Sequence, residues 1–175
     1  MNQRYVITGA PGTGKTSIIN ELKNRGFNCI DENAREIISD EKIKEQRIEN
    51  YKNQVNFERK IVNLRIQKYL STSKDHIFFF DRSAIDSIAY LDLKKLKFTI
   101  EILNNIRKCI FNRTVFYTPI WEDIYIKDNE RIESVKQAMK IEKFLIKTYE
   151  SENYRLIKVP KLPIKERADF IISKI

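Results

Sequence analysis

The stretch that most constrains this chain is a glycine-rich loop with the sequence Gly9-Ala10-Pro11-Gly12-Thr13-Gly14-Lys15-Thr16. It matches G-x-x-x-x-G-K-[ST] at every fixed position, and it lies between a short β-branched run and a segment with helical apolar spacing. Glycines let the backbone curl so that its N–H groups converge on phosphates, and the positive end of the following helix faces the same anions. The motif therefore predicts a strand, a phosphate-binding loop and a helix.

Single side chains within the loop have distinct expected roles. Lys15 supplies a point charge to the β- and γ-phosphates, and Thr16 offers a hydroxyl to Mg²⁺. A glycine-rich turn that binds nothing is the alternative, but the flanking strand and helix are the context that phosphate binding needs. We therefore expect ATP or GTP with Mg²⁺ as cofactors. The expected nucleotide contacts are Gly9, Ala10, Pro11, Gly12, Thr13, Gly14, Lys15, Thr16, Ser17 and, in the loop after the last strand, Pro160.

Strand-like and helical segments alternate along the whole chain. The predicted strands are 4–8, 27–31, 76–80, 114–117 and 154–159, and the predicted helices include 83–91, 93–110, 131–149 and a last one after Pro163. This alternation predicts an α/β fold of three layers, a mainly parallel five-stranded sheet with helices on both faces. We expect one domain over residues 1–175, with a helical acceptor-side region at about 32–74 and a lid-like segment at about 119–135.

A second group of candidate residues lies in the segment FFFDRSAIDSIAYL, residues 78–91. The carboxyl end of a strand beside the phosphate loop faces the nucleotide crevice, so Asp81 is predicted in the site. Asp81 could hold Mg²⁺, accept a proton from a substrate hydroxyl, or cap the next helix. Asp86 is divided between a site role and a helix cap, because Ser83-Ala84-Ile85-Asp86 matches the capping-box pattern.

These motifs extend into a family resemblance. It rests on the phosphate loop, on Asp31 to Glu36, on Phe80-Asp81-Arg82 with Asp86, Ala89 and Tyr90, on residues 124–131, and on Val159-Pro160 with Arg167. With these residues the chain resembles an AAA-type predicted ATPase family related to the nicotinamide riboside kinase domain of NadR. The resemblance implies a P-loop kinase-like fold that binds ATP or GTP with Mg²⁺.

The resemblance also suggests further site residues. It favours contacts of Glu32 and Arg35 with an acceptor, alongside Arg82 and Asp86; for Arg35 a surface ion pair is the alternative. Small-molecule kinases that resemble this chain use the acid–arginine pair at Asp81 and Arg82 for proton removal and for clamping. Arg131, in the lid-like segment, would close on the γ-phosphate as an arginine finger, or else be a solvated residue of a helix start.

Composition narrows the possible functions less than the motifs do. The 33 Lys and Arg residues against 24 Asp and Glu give a net charge of +9, but the basic residues are spread along the chain. No stretch approaches the roughly 18 apolar residues of a membrane span, and we expect a cytoplasmic protein. The leading hypothesis is a kinase whose partners are a nucleoside triphosphate and a small hydroxyl acceptor, such as a nucleoside or nucleotide. A nucleotide-dependent switch or binding module, and a polynucleotide-end kinase or nucleic-acid ATPase, stay open as alternatives.

Overall fold

A computed structural model describes residues 2–32, 51–121 and 134–175 of the chain. The strands are β1 (Arg4–Thr8), β2 (Asn28–Ile30), β3 (Phe78–Asp81), β4 (Thr114–Tyr117) and β5 (Arg155–Lys158). The helices of this part of the chain are α1 (Lys15–Asn24), α2 (Tyr51–Leu70), α3 (Ala84–Lys94), α4 (Ile100–Arg107), α5 (Val135–Ser151) and α6 (Ile164–Ile172).

The strands form one five-stranded sheet in the order β2-β3-β1-β4-β5, and every neighbouring pair is parallel. Helices α1 and α6 pack on one face, around Ile18, Leu22 and Ile171. Helices α2 to α5 cover the other face. The predicted three-layer α/β fold is confirmed.

The strands are apolar without alternation because both faces of the sheet are covered. In β1, Tyr5 and Ile7 pack towards α1 and α6, whereas Val6 packs towards the opposite helices. In β3, Phe79 and Phe80 divide in the same way. The three phenylalanines therefore fix β3 in the sheet beside β1, and its last residue, Asp81, reaches the carboxyl edge next to the phosphate loop.

Two predicted helix boundaries are wrong. The helix predicted to begin at Leu93 does not, since α3 continues to Lys94 and ends because Lys95 has a left-handed conformation with φ 55°. The next helix starts only after Thr99, whose side chain caps it. Similarly, α5 begins at Val135, because Ser134 is extended and caps the helix with Gln137, so the predicted helix from 131 is not continuous.

None of the helices in residues 2–32, 51–121 and 134–175 has both the length and the apolar character needed to cross a bilayer.

Candidate nucleotide-binding site

The phosphate loop follows β1 and depends on two glycines for its shape. Gly9 has φ 149°, and a Cβ there would lie 2.4 Å from Thr118 Oγ1. Gly14, which precedes α1, has φ 82°, and its Cβ would lie 2.8 Å from Arg167 Nη1. Any side chain at these two positions would therefore meet both an unfavourable backbone conformation and a steric clash.

The loop is braced from beneath by residues far along the chain. Thr13 Oγ1 donates to the Ala10 carbonyl at 3.0 Å and lies 2.6 Å from Thr118 Oγ1. Arg167, a buried residue of α6, donates from Nη2 to the Thr13 carbonyl at 2.9 Å. The sequence assigned Arg167 no role, because nothing local indicates that a residue of the last helix supports the first loop.

Lys15 is buried and turned back onto the loop. Its Nζ donates to the Ala10 carbonyl at 2.7 Å. Burial, and then the positive charge of Arg82, lower the pKa of Lys15 to about 7. A bound triphosphate would place further negative charge beside this ammonium group and favour its charged form.

Thr16 and Asp81 meet at the edge of the loop. Thr16 Oγ1 donates to Asp81 Oδ2 at 2.9 Å, and Asp81 itself is almost fully buried. Burial raises the pKa of Asp81 above its usual value, against the lowering effect of the Lys15 and Arg82 charges. A hydroxyl and a carboxylate are oxygen ligands that suit Mg²⁺, which usually takes one or two protein groups together with phosphate oxygens. The described residues contain no cluster of three or more His, Cys, Asp or Glu side chains suited to a metal.

The structure removes one alternative for Asp81. The cap of α3 is Ser83, whose side chain accepts from the Ile85 backbone N–H at 3.1 Å. Interpreting Asp81 as the helix cap is therefore wrong, and its carboxylate stays directed at Thr16.

The other predicted nucleotide contacts lie around the same edge. Ser17 is exposed in the first turn of α1, directly after Thr16. Pro160 comes two residues after the end of β5, and its carbonyl accepts from the Leu162 N–H at 3.1 Å. Pro160 thus lies beyond the carboxyl end of the strand next to β4, where a base could meet backbone groups.

Arg82 has a strained backbone. It adopts φ 69°, a left-handed conformation that is uncommon outside glycine, while its N–H donates to the Ile7 carbonyl at 3.0 Å. Its guanidinium lies 3.6 Å from Glu32 Oε2 and donates to Asp86 Oδ1 at 3.3 Å. Such strain persists where surrounding contacts hold it, and it concentrates at functional sites.

Asp86 is the acid at the centre of this network. It has no exposed surface, and it accepts hydrogen bonds from the Thr8 hydroxyl at 2.6 Å, the Ser83 N–H at 2.9 Å and the Tyr149 hydroxyl at 2.5 Å. Burial opposes its ionisation, but the charges of Arg82 and Arg65 and the hydrogen bonds to its carboxylate together outweigh burial, so the pKa of Asp86 lies below its usual value. The capping-box prediction is confirmed. Because Asp86 is enclosed, its connection to the site is its contact with the Arg82 guanidinium.

A recess opens beside Asp81 at the carboxyl ends of β2 and β3. It is lined by residues from β2, β3, α2 and the turns after the two strands: Ile30, Asp31, Glu32, Arg65, Lys68, Phe80, Asp81, Arg82 and Ser83. Glu32 lies just beyond β2, and its Oε2 accepts from Arg65 Nη2 at 2.6 Å. The predicted site residues Glu32, Asp81 and Arg82 are thus brought together.

Two predicted site residues, Arg35 and Arg131, lie outside the described residues, as does most of the lid-like segment. Conversely, Arg65 was missed by the sequence reasoning. It lies three and four residues after the buried Val62 and Ile61, on the apolar side of α2, and the packing of α2 against α3 shows that it is buried.

Known structures share this architecture over the whole chain. Deoxyadenosine kinase from M. mycoides, with dCMP and a flexible dCDP bound, has a TM-score of 0.73 at 18% identity, covering 98% of this chain and 97% of that one. Thymidylate kinase from Ehrlichia chaffeensis has a TM-score of 0.64 at 13% identity, covering 99% and 97%. A NadR protein in complex with NR has a TM-score of 0.69 at 16% identity, and this chain covers 51% of it and 98% of itself.

At these identities the likeness establishes the fold rather than the substrate. No curated protein matches the sequence. A family model, however, matches residues 4–167, from the start of β1 to the arginine beneath the phosphate loop. The predicted resemblance is confirmed, and the chain belongs to the AAA_28 family of AAA domains.

Proposed function

We propose that this protein is a kinase that transfers the γ-phosphoryl group of ATP or GTP to a hydroxyl group of a small metabolite, such as a nucleoside or nucleotide. The observation that carries the proposal is the recess beside the phosphate loop, where Glu32 and Arg82 lie next to Asp81. Charged side chains gathered beside the phosphate loop would suit a second, polar substrate placed next to the γ-phosphate. The similar structures include nucleoside and nucleotide kinases, which supports the same reading.

In this proposal the two acids, Asp81 and Glu32, have different roles. Lys15 and the loop N–H groups hold the triphosphate, while Thr16 and Asp81 hold Mg²⁺. When bound, Mg²⁺ would supply positive charge that neutralises the phosphate oxygens. The contact of Asp81 with Thr16 supports a metal-side role for Asp81. Glu32, on the recess side, is then the carboxylate that accepts the proton of the acceptor hydroxyl.

Arg82 directly follows the metal-side Asp81 in the chain, and its guanidinium lies beside the recess-side Glu32. Its guanidinium lies between Glu32 and Asp86, at 3.6 Å and 3.3 Å. A fixed cation at this junction would stabilise the negative charge that develops on the transferred group. Arg35 and Arg131 remain predicted contributors to acceptor binding and to closure over the γ-phosphate.

Label transfer from γ-labelled ATP and GTP tests the proposal. The protein is incubated with Mg²⁺ and a panel of nucleosides, nucleotides and an RNA oligonucleotide, and the labelled products are separated. Label on a small hydroxyl compound supports the proposal. Label released only as phosphate would indicate a hydrolase or switch, and label on RNA would indicate a polynucleotide kinase; either result would contradict it.

Paired variants test the division between the acids. Asp81→Asn and Glu32→Gln should each lower transfer by about 100-fold or more while ATP still binds. Only Asp81→Asn should raise the Mg²⁺ concentration needed for half-maximal transfer. Asp75→Asn, an exposed carboxylate in the turn before β3, serves as the matched control. An unchanged Mg²⁺ requirement in Asp81→Asn would show that Asp81 is not on the metal side.

A further inference from the structure

Tyr149 is a fully buried tyrosine of α5 whose hydroxyl belongs to the charge network behind the recess. Helix α5 packs on α3, and the Tyr149 hydroxyl donates to Asp86 Oδ2 at 2.5 Å and lies 2.7 Å from Ser83 Oγ. A buried hydroxyl is unfavourable unless it is hydrogen-bonded, and a bond to an ionised acceptor is stronger than one between neutral groups. The contact therefore favours one fixed position of the Asp86 carboxylate.

The two oxygens of Asp86 meet different neighbours. Oδ2 accepts from the Tyr149 hydroxyl and from the Ser83 N–H. Oδ1 accepts from the Thr8 hydroxyl at 2.6 Å and from Arg82 Nη1 at 3.3 Å. Because the last torsion of an aspartate side chain has only a broad intrinsic preference, hydrogen bonds decide how the carboxylate is turned. Tyr149 from α5 and Thr8 from β1 thus set the place of the oxygen that meets Arg82.

Arg82 depends on Asp86 because its other acidic neighbour reacts in the proposed function. Glu32 lies 3.6 Å from the guanidinium, and it would lose its negative charge on accepting the proton of the acceptor hydroxyl. Asp86 is enclosed, so it takes no part in that proton transfer and keeps its charge. Asp86 is therefore the partner that holds Arg82 in one place throughout the reaction.

We propose that the hydroxyls of Tyr149 and Thr8 are positioning groups for the transfer reaction, acting through Asp86. The carboxylate held in this way keeps the Arg82 guanidinium where negative charge develops on the transferred phosphoryl group. Such preorganised charges lower the barrier because they need no rearrangement at the moment of reaction. Neither hydroxyl touches the substrate. This inference deepens the proposed function and rests on it.

Tyr149→Phe tests the inference, because it removes the hydroxyl and keeps the ring in the core. Transfer from γ-labelled ATP is measured with adenosine, 2′-deoxyadenosine and thymidine as acceptor probes, over a range of ATP concentrations. We expect kcat to fall by about 10- to 100-fold, since small displacements of a positioned group cost that much in rate. The KM for ATP should change by less than about twofold, because the phosphate loop keeps its contacts with Thr118 and Arg167.

Tyr154→Phe is the matched control. Tyr154 is a buried tyrosine of the same core cluster, and its ring lies edge-on to that of Tyr149 with 5.7 Å between the ring centres. Its hydroxyl accepts from the Phe111 N–H at 3.4 Å. Both variants lose one buried hydroxyl and with it some stability to urea, but only Tyr149→Phe should lower kcat.

A double-mutant cycle distinguishes positioning from a general loss of stability. Arg82→Lys removes the guanidinium itself, and single-turnover rates are compared with and without the second substitution. In the Arg82→Lys background, Tyr149→Phe should slow transfer by no more than about twofold further, because the group that it positions is already gone. The full effect of Tyr149→Phe in both backgrounds would show that Tyr149 does not act through Arg82, and would overturn the inference.

The other outcomes are equally distinct. Should Tyr149→Phe unfold at the assay temperature, Thr8→Val replaces it with the same expected fall in kcat, since it removes the second hydroxyl that holds Asp86. Wild-type turnover in the folded variant would overturn the positioning role and leave the kinase proposal intact. A wild type that labels none of the three probes would contradict the proposed transfer to a nucleoside, and this inference with it.

Discussion

Replacing Asp86 with asparagine tests the buried charge network behind the recess. The Asp86 carboxylate accepts from Thr8, Ser83 and Tyr149, and it lies 3.3 Å from Arg82 Nη1. Asparagine keeps one acceptor oxygen but turns an NH₂ donor towards groups that are themselves donors. The variant therefore loses a charge and also places donors against donors.

The size of the effect follows from these contacts. Removing one partner of a buried ion pair costs about 3–5 kcal/mol, because the other charge is left buried. Glu32 still lies 3.6 Å from Arg82, so the cation keeps one acidic neighbour. We therefore expect a loss of about 3 kcal/mol, the lower end of that range. Domains are stable by about 5–15 kcal/mol, so the variant should remain folded and measurable.

Urea unfolding followed by circular dichroism measures this loss. With a slope of about 2 kcal/mol per molar urea, the midpoint of Asp86→Asn should fall by about 1.5 M. The exposed control Asp75→Asn should lie within about 0.5 kcal/mol of the wild type. A midpoint for Asp86→Asn equal to that of the control would refute the claim that Asp86 is an ionised, paired group.

The dependence on pH provides an independent check on the same residue. The folded-state pKa of Asp86 lies below its ordinary value of 3.8, so its ionisation stabilises the fold above that value. This contribution is lost as the pH falls through the folded-state pKa. The difference in unfolding free energy between the wild type and Asp86→Asn should therefore be constant near neutral pH and should shrink below about pH 4. A difference that stayed constant down to pH 3 would contradict the assignment.

Two further predictions concern the phosphate loop and the cysteines. Gly14→Ala introduces a Cβ 2.8 Å from Arg167 at a position with φ 82°. This variant should weaken ATP binding by about tenfold or more in calorimetry. Gly26→Ala, at φ 87° with nothing within 4 Å of the new Cβ, should share the backbone strain but leave ATP binding unchanged. Equal ATP affinities in the two variants would contradict this reading. Burial raises the pKa of Cys29 to about 12 and that of Cys109 to about 11, so at pH 8 both thiols should react with a disulfide reagent at least about tenfold more slowly in the native protein than in denaturant. Similar rates in both conditions would show that these thiols are accessible.

Much of the fold could be predicted because its determinants are local. The loop from Gly9 to Thr16 carries its own geometric requirements, and the strands on either side of it are short apolar runs bounded by turn residues. The predicted helix boundaries were wrong where the backbone conformation of a single residue ends or starts the helix. Lys95, left-handed at the end of α3, stands in a run of lysine and leucine that gives no signal for a stop.

The roles within the site were less accessible, because they depend on distances between residues far apart in the chain. Asp81 was predicted as metal ligand, base or cap; the apolar strand before it favoured a role in the site over a cap, but the sequence did not decide between metal ligand and base. The hydrogen bond from Thr16, 65 residues away, supports the metal side. Asp86 likewise matched a cap by local pattern, while its burial against Tyr149 and Arg82 came from packing.

By itself, the sequence determined the phosphate loop, the parallel sheet and the acid–arginine pair at the end of β3, because backbone conformation and apolar patterning act over a few residues. The tertiary structure alone decided which charges meet. It brought Glu32 from just beyond β2, Arg65 from α2 and Arg82 from just beyond β3 to one recess, and among the described residues it left one buried N–H of Arg65 without a hydrogen-bond partner. The physical reason is that burial and ion pairing are properties of the packed chain, since an arginine in a polar helix shows its partners only when another helix covers it.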